Sequence, residues 1–217
     1  MNRHQQSERL FAIGLSGLGG YVDAVGFISL GGFFVSFMSG NSTRLAVGLV
    51  SNPLNAAIAG GLVAAFVGGV VLGSWFGRAA RWRPTAVLLL VAGLLALAAL
   101  SAMFGAKRFA MAVAACAMGA ENTIFEREGE VSIGVTYMTG TLVKFGQRLA
   151  AALCGGPRTA WTPYLLLWLG LVFGAACGAL AYPRFGIQSL WIAAIAAVCL
   201  AVAARIIGIG EADSAEN

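Results

Sequence analysis

Two acidic residues stand where the surrounding sequence makes them expensive. Asp23 lies inside the apolar stretch from Leu10 to Phe37, and Glu121, followed by Asn122, ends the apolar run from Phe109 to Ala120. An ionised carboxylate in hydrocarbon is costly and faces a cavity or a partner. Both are therefore read as proton-coupling residues, and Asp23 and Asn122 also as parts of a binding site. The competing structural role for Asp23 is to tie two helices together by accepting from Asn122, Arg44 or a backbone amide.

Two short motifs carry a second kind of chemistry. Met38-Ser39-Gly40-Asn41 and Met138-Thr139-Gly140-Thr141 each combine a glycine that can unwind the chain with small polar residues. Ser39, Asn41, Thr139 and Thr141 are natural N-cap types for a following helix. A helix beginning there would aim free N–H groups and the positive end of its dipole at whatever precedes it. Arg44 and Lys144, one turn further on at matching positions, add positive charge, and the combination suits an anion or a carboxylate. The plainer reading is that small residues let helices cross while the cations face a membrane surface.

Other chemistries lack their residues. His4 is the single histidine, in a polar N-terminal stretch, which removes Ser-His-Asp and Cys-His triads and the H-E-x-x-H zinc site. Cys116, Cys154, Cys177 and Cys199 are far apart with no C-x-x-C pair, and read as small core residues. No enzyme activity, cofactor or metal is expected. The net charge of +5 comes from Lys and Arg scattered singly between apolar runs, not from a continuous basic face, so nucleic acid is not an expected partner.

Those residues must be positioned by a membrane protein. Of 217 residues, 59% are hydrophobic and 11% charged, and the mean hydropathy is +0.83; soluble domains are about 25% charged. Taking about 20 apolar residues per spanning helix, six segments qualify: Leu10–Phe37, Leu54–Gly77, Pro84–Phe104, Phe109–Phe145, Thr162–Ala181 and Ile187–Ile209. The first and fourth are too long and polar for plain spans, so each is expected to break within the membrane. The apolar stretch behind Arg9 is too long for a signal peptide and is read as the first span. With residues 1–9 and the acidic residues 210–217 as cytoplasmic tails, Arg3, Arg9, Arg78, Arg81, Arg83, Arg148, Arg158 and Arg205 fall inside, and Lys107, Arg108 and Arg184 outside. Positive charge favours that orientation. The run Glu126-Arg127-Glu128-Gly129-Glu130 reads as a solvated bend.

The chain also repeats. Gly20-Tyr21-Val22-Asp23 aligns with Gly119-Ala120-Glu121-Asn122 at a shift of 99, and Met38–Leu45 with Met138–Phe145 at 100. Gly69, Gly73 and Gly77 align with Gly170, Gly174 and Gly178 at 101, and both rows have the spacing that lets helices pack closely in lipid. Three spans per half is odd, so the second half must enter from the opposite face, giving an inverted-topology repeat over residues 10–105 and 109–209. The expected fold is a single all-α integral membrane domain of about six helices in two inverted three-helix repeats.

The combination G-x-V-D-A, F-x-x-x-M-[ST]-G-N and a second M-T-G-T resembles the YoaK-like family of small bacterial membrane proteins, domain of unknown function 1275. The resemblance covers essentially the whole chain and implies a multi-pass protein of the bacterial cytoplasmic membrane with no established substrate. Met38-Ser39-Gly40 departs from the family's usual Met-Thr-Gly. Glu121 stands where the family has a neutral residue such as Gln, which adds a proton site.

The expected function is a small secondary transporter of an anionic or zwitterionic solute, proton-coupled through Asp23 or Glu121. Its midplane site would be built from Asp23, Ser39, Asn41, Arg44, Asn122, Thr139, Thr141 and Lys144. A channel uses the same parts, and a non-transporting assembly or regulatory protein would use them only to lock helices. Membrane lipid and the solute are the expected partners, and the chain's small size leaves room for a homodimer.

Overall fold

The structure is a computed structural model. It describes the backbone of residues 3–80, 82–127, 130–131 and 137–209, and the side chains among these from Ser7 onward, outside residues 126–127 and 130–131. Eight helices follow one another among the described residues: α1 (Arg3–Ser29), α2 (Met38–Ser51), α3 (Pro53–Ala79), α4 (Arg83–Met103), α5 (Lys107–Glu121), α6 (Met138–Leu153), α7 (Thr162–Phe185) and α8 (Leu190–Ile207). Between α5 and α6 a two-residue antiparallel ladder pairs Glu126 with Val131 and Arg127 with Glu130. The charged bend read at 126–130 falls on this ladder, and its side chains lie outside the described residues. So does the acidic segment 210–217, while the segment assigned as an N-terminal tail is helical from Arg3.

Local sequence explains the boundaries. α1 ends where Gly31 and Gly32 take φ of +66° and +106°, a region that suits a residue without Cβ, and the Gly32 N–H closes onto the Phe27 carbonyl. α3 opens on Asn52, whose side chain accepts from the Leu54 and Asn55 N–H groups, with Pro53 at the first helical position. Gly105 and Gly208, both at positive φ, close α4 and α8.

Four stretches are long and apolar enough to cross a membrane: Ser7–Ser29, Pro53–Ala79, Arg83–Met103 and Thr162–Ile207. The chain is thus an all-helical, multi-pass membrane protein, though the count differs from six. The last stretch, 46 residues, holds both α7 and α8, joined by a 3-10 turn over Gly186–Ser189. α5, with 15 residues, is about 22 Å long and shorter than the hydrocarbon core.

α1, α4, α5 and α8 form the centre, where Leu15, Val22, Leu88, Leu95, Met111 and Leu190 are fully buried. α3 packs on α5, α7 on α1, α2 on α3 and α6 on α7. The outward faces of α3 and α7 present Val71, Trp75, Leu169, Phe173 and Leu180, an apolar surface that fits lipid better than water. Cys154 and Cys199 are also exposed and Cys116 and Cys177 only partly covered, which corrects their assignment to the core: in a bilayer the outside is apolar too, so hydrophobicity does not tell inward from outward.

Close glycine contacts fix the helix directions. A Cβ on Gly69 would overlap the Cys116 carbonyl and one on Gly73 would press on Ala120, so α3 and α5 run parallel. Gly174 meets Gly17 and Gly178 meets Tyr21, so α7 and α1 run parallel. Gln188 donates to the Ala99 carbonyl, Thr85 to that of Ala201, and Arg205 stacks on Trp82, so α4 and α8 are antiparallel. Gly14 lies against Leu200 while the Tyr21 hydroxyl donates to the Ser189 carbonyl, which sets α8 against α1 and hence against α7. α4 returns along α5 after the turn at Gly105, and so opposes α3.

Candidate functional site

The irregular segment Leu30–Phe37 is the part of the structure where the singled-out side chains meet. Three elements hold it. Asp23 of α1 accepts the Val35 and Ser36 N–H groups through Oδ1 at 2.8 and 3.0 Å, and receives further hydrogen bonds from the Ser36 side chain and the Phe37 backbone. Asn41 of α2 is fully buried; its Oδ1 accepts the Phe34 N–H at 3.1 Å and its Nδ2 donates to the Phe34 carbonyl at 2.6 Å. Arg44 stacks its guanidinium 5.1 Å over the Phe33 ring and lies beside Gly32, where a Cβ would sit 3.0 Å from Nη2.

The spacing G-x-V-D-A followed by F-x-x-x-M-S-G-N thus encodes a backbone clamp. A segment without secondary structure, placed among apolar helices, needs partners for its own N–H and C=O groups, and Asp23 and Asn41 supply them. Asp23→Asn keeps an Oδ1 acceptor and is expected to change stability by less than about 1 kcal/mol, whereas Asp23→Ala orphans several amides and costs about 2 kcal/mol. Equilibrium unfolding in detergent micelles checks this, and equal losses in both variants would show that the carboxylate acts by its charge.

The depth of α2 follows from its packing. Gly48 lies against Ala56, and Leu45 against Gly60, so α2 runs antiparallel to α3. Carrying that register back places Met38 beside Val67, near the middle of α3. The start of α2 therefore sits at mid-depth of the bundle, and the Ser39 side chain there is exposed.

The capping expectation needs correction. α2 and α6 begin at Met38 and Met138, with Phe37 and Tyr137 at their N-cap positions and no side-chain cap. Ser39, Asn41, Thr139 and Thr141 lie inside the first turn, where none can cap. Neither Gly40 nor Gly140 unwinds the helix. Gly40 instead admits the Phe37 and Phe34 rings, which a Cβ would strike at 2.6 and 3.1 Å.

The second half is arranged differently. The Asn122 side chain donates to the Met118 carbonyl at 2.8 Å, one turn back in its own helix. Thr141 is buried, and its hydroxyl donates to the Tyr137 carbonyl at 3.2 Å; Thr139 and Lys144 are exposed. Glu121 is fully buried, and neither carboxylate oxygen has a hydrogen-bond partner among the described residues. Close by, the Arg83 Nε donates to the Thr123 carbonyl at 3.3 Å.

The two halves do not join into one site. Phe125, just past α5, packs edge-on against Phe11 with centroids 6.1 Å apart. Twelve residues of helix, about 18 Å, separate Phe11 from Asp23. Asp23, Asn41 and Arg44 are brought together at one level, while Glu121 and Asn122 lie toward the other end of the bundle. Arg83 and the clamped backbone of residues 34–36 were not singled out in the sequence. The run Phe33-Phe34-Val35-Ser36 between a double glycine and Met38 was the available signal for the latter.

Comparison with known proteins agrees with a membrane protein. Residues 11–203 match the model of a family described as protein of unknown function (DUF1275). The chain is 40% identical over 195 residues to the UPF0700 transmembrane protein RA0705 of Rhizobium meliloti (strain 1021), covering 88% of this chain and 83% of that protein. No solved structure matches.

Proposed function

The chain belongs to the DUF1275 family, and from that premise we propose that it is a small secondary transporter of an anionic or zwitterionic solute, built as an inverted repeat. The reading is carried by one observation: the main helix pairings are kept when the halves α1–α4 and α5–α8 are exchanged, although the packing of α3 on α4 is not matched between α7 and α8. α1 on α7 becomes α5 on α3, α2 on α3 becomes α6 on α7, and α4 on α8 maps to itself. The opposite directions of α1 and α5, of α3 and α7 and of α4 and α8, drawn from the glycine and hydrogen-bond contacts, support that reading. That is the construction of many secondary transporters, in which alternating access is the exchange of conformations between halves.

In this reading α1 with α2, and α5 with α6, are spans broken within the membrane. Six crossings are assigned, to α1, α3, α4, α5 with the chain that follows it, α7 and α8, and both termini lie in the cytoplasm of a bacterial inner membrane. The ends that gather Arg9, Arg78, Arg83 and Arg205 support this orientation. Arg44, whose guanidinium lies over Phe33 and beside Gly32, binds the solute's anionic group. Residues 30–37, held by Asp23 and Asn41, are the gate of one half, and Thr139, Thr141 and Lys144 belong to the gate of the other. The proposal assigns no catalytic residue and no cofactor.

Uptake by proteoliposomes tests it. With an inward proton gradient and a panel of small radiolabelled carboxylates and amino acids, at least one should accumulate saturably, and Arg44→Ala should lower that uptake at least tenfold without lowering the unfolding temperature. Electrical conductance without accumulation would identify a channel instead. Absence of both would leave an assembly protein.

A further inference from the structure

The group least explained by packing is Glu121. It is fully buried, and both of its oxygens lack a hydrogen-bond partner among the described residues. The exchange of halves sharpens the anomaly. At the shift of 99, the buried stripe Phe11, Leu15, Leu18 and Val22 on α1 corresponds to Ala110, Ala114, Ala117 and Glu121 on α5, all equally buried. The corresponding position of the first half holds the apolar Val22, and this chain supplies a carboxyl group at Glu121. A buried polar group with no structural partner calls for an explanation, and Asp23, whose bonds all go to residues 35–37, is fully used by the clamp.

We infer that Glu121 is the protonation site of the transport cycle and that Arg83 is its counter-ion when the acid ionises. The inference rests on the transporter reading and narrows it, since it withdraws Asp23 from proton coupling. The acid O–H gives its proton to water entering at the end of α5, and the resulting carboxylate takes the Arg83 guanidinium from the Thr123 carbonyl, two residues along. Uptake of a proton reverses both steps. Charged groups on the helices packed against α5 at this end are Arg83 of α4, Arg78 of α3, and Glu8 and Arg9 of α1. The Arg83 side chain reaches the end of α5, where it donates to the Thr123 carbonyl. Asp23 lies at the far end of α1, and the side chains of the 126–131 ladder lie outside the described residues.

Difference infrared spectroscopy of the full chain in lipid nanodiscs, titrated with hydroxide and without any solute, reads the acid directly. Starting from neutral pH, where carboxyl groups in water are already ionised, the wild type should show one carboxylic C=O band that disappears reversibly in alkaline buffer. Asp23→Asn should retain it and Glu121→Gln should lose it. In Arg83→Gln the band should persist in buffers where the wild type has lost it. Glu121→Val, which restores the residue type of the other half, should fold at least as stably as the wild type and also lack the band. A titrating band retained in Glu121→Gln, or a collapse of both Glu121 variants, overturns the inference. A correct band pattern with no solute uptake leaves the proton site standing and removes the transporter reading.

Discussion

Gly69→Ala and Gly174→Ala are each expected to destabilise the fold by about 3 kcal/mol, the upper range for overpacking a fitted contact. Each would place a Cβ on a backbone carbonyl of the facing helix, Cys116 for Gly69 and Gly17 for Gly174. A flexible side chain could move aside, but a helix backbone must shift as a unit and lose the packing of its neighbours. Gly20→Ala and Gly119→Ala, which meet the Leu171 and Phe66 carbonyls, should behave alike. Gly61, Gly68 and Gly93 lie on the same kinds of helix with open space beside them. Their substitution by Ala should be neutral or stabilise by about 0.5 kcal/mol through the helix preference of Ala. Equilibrium unfolding in mixed micelles separates the groups; similar losses in both would mean that these helices are not apposed as described.

These contacts also explain what could be read from the sequence and what could not. Charge scarcity and apolar run length establish the membrane class without any coordinates, because a chain with so little polar surface has no other stable solvent. That the first and fourth segments break was legible from their length and polarity, but the motifs point to Gly40 and Gly140 as the breaks, whereas α1 ends ahead of Gly31-Gly32 and α5 at Glu121. The repeat register in the glycine helices was not legible. Sequence alone pairs Gly69 with Gly170 at a shift of 101, whereas equivalent contacts pair Gly69 with Gly174 and Gly73 with Gly178, a shift of 105. Glycines spaced by four superpose after a slip of one helical turn, so the pattern cannot choose its own register. Only the partner carbonyls, Cys116 and Gly17 in one pair and Ala120 and Tyr21 in the other, each 99 apart, fix it.

The role of Asp23 was hidden for a different reason. An acidic residue in an apolar run signals a partner but not its kind, and here the partner is main chain, which carries no sequence identity. The shared midplane site failed for a geometric reason. α1 and α5 run in opposite directions, so residues equivalent by the repeat coincide in depth only if they lie near the helix centres. Asp23 and Asn122 do not, which leaves the halves with separate polar clusters.

That separation makes Asn41 the residue on which the segment Leu30–Phe37 depends most. Its amide satisfies both the N–H and the carbonyl of Phe34, so Asn41→Leu keeps the volume and orphans two backbone groups inside the bundle. The expected loss is about 3 kcal/mol, from roughly 1–3 for each unsatisfied group. The equivalent Thr141 should tolerate Thr141→Val at a cost below about 1 kcal/mol, because its own N–H already donates to the Tyr137 carbonyl that its hydroxyl reaches. If the halves exchange conformations during transport, a solute that closes the first gate must stabilise the wild type through that closure. Asn41→Leu should then lose the ligand-induced rise in unfolding temperature completely, while Thr141→Val retains most of it. Equal sensitivity at both positions would mean that the two gates are held alike, contrary to the separate bonding of Asn41 and Thr141.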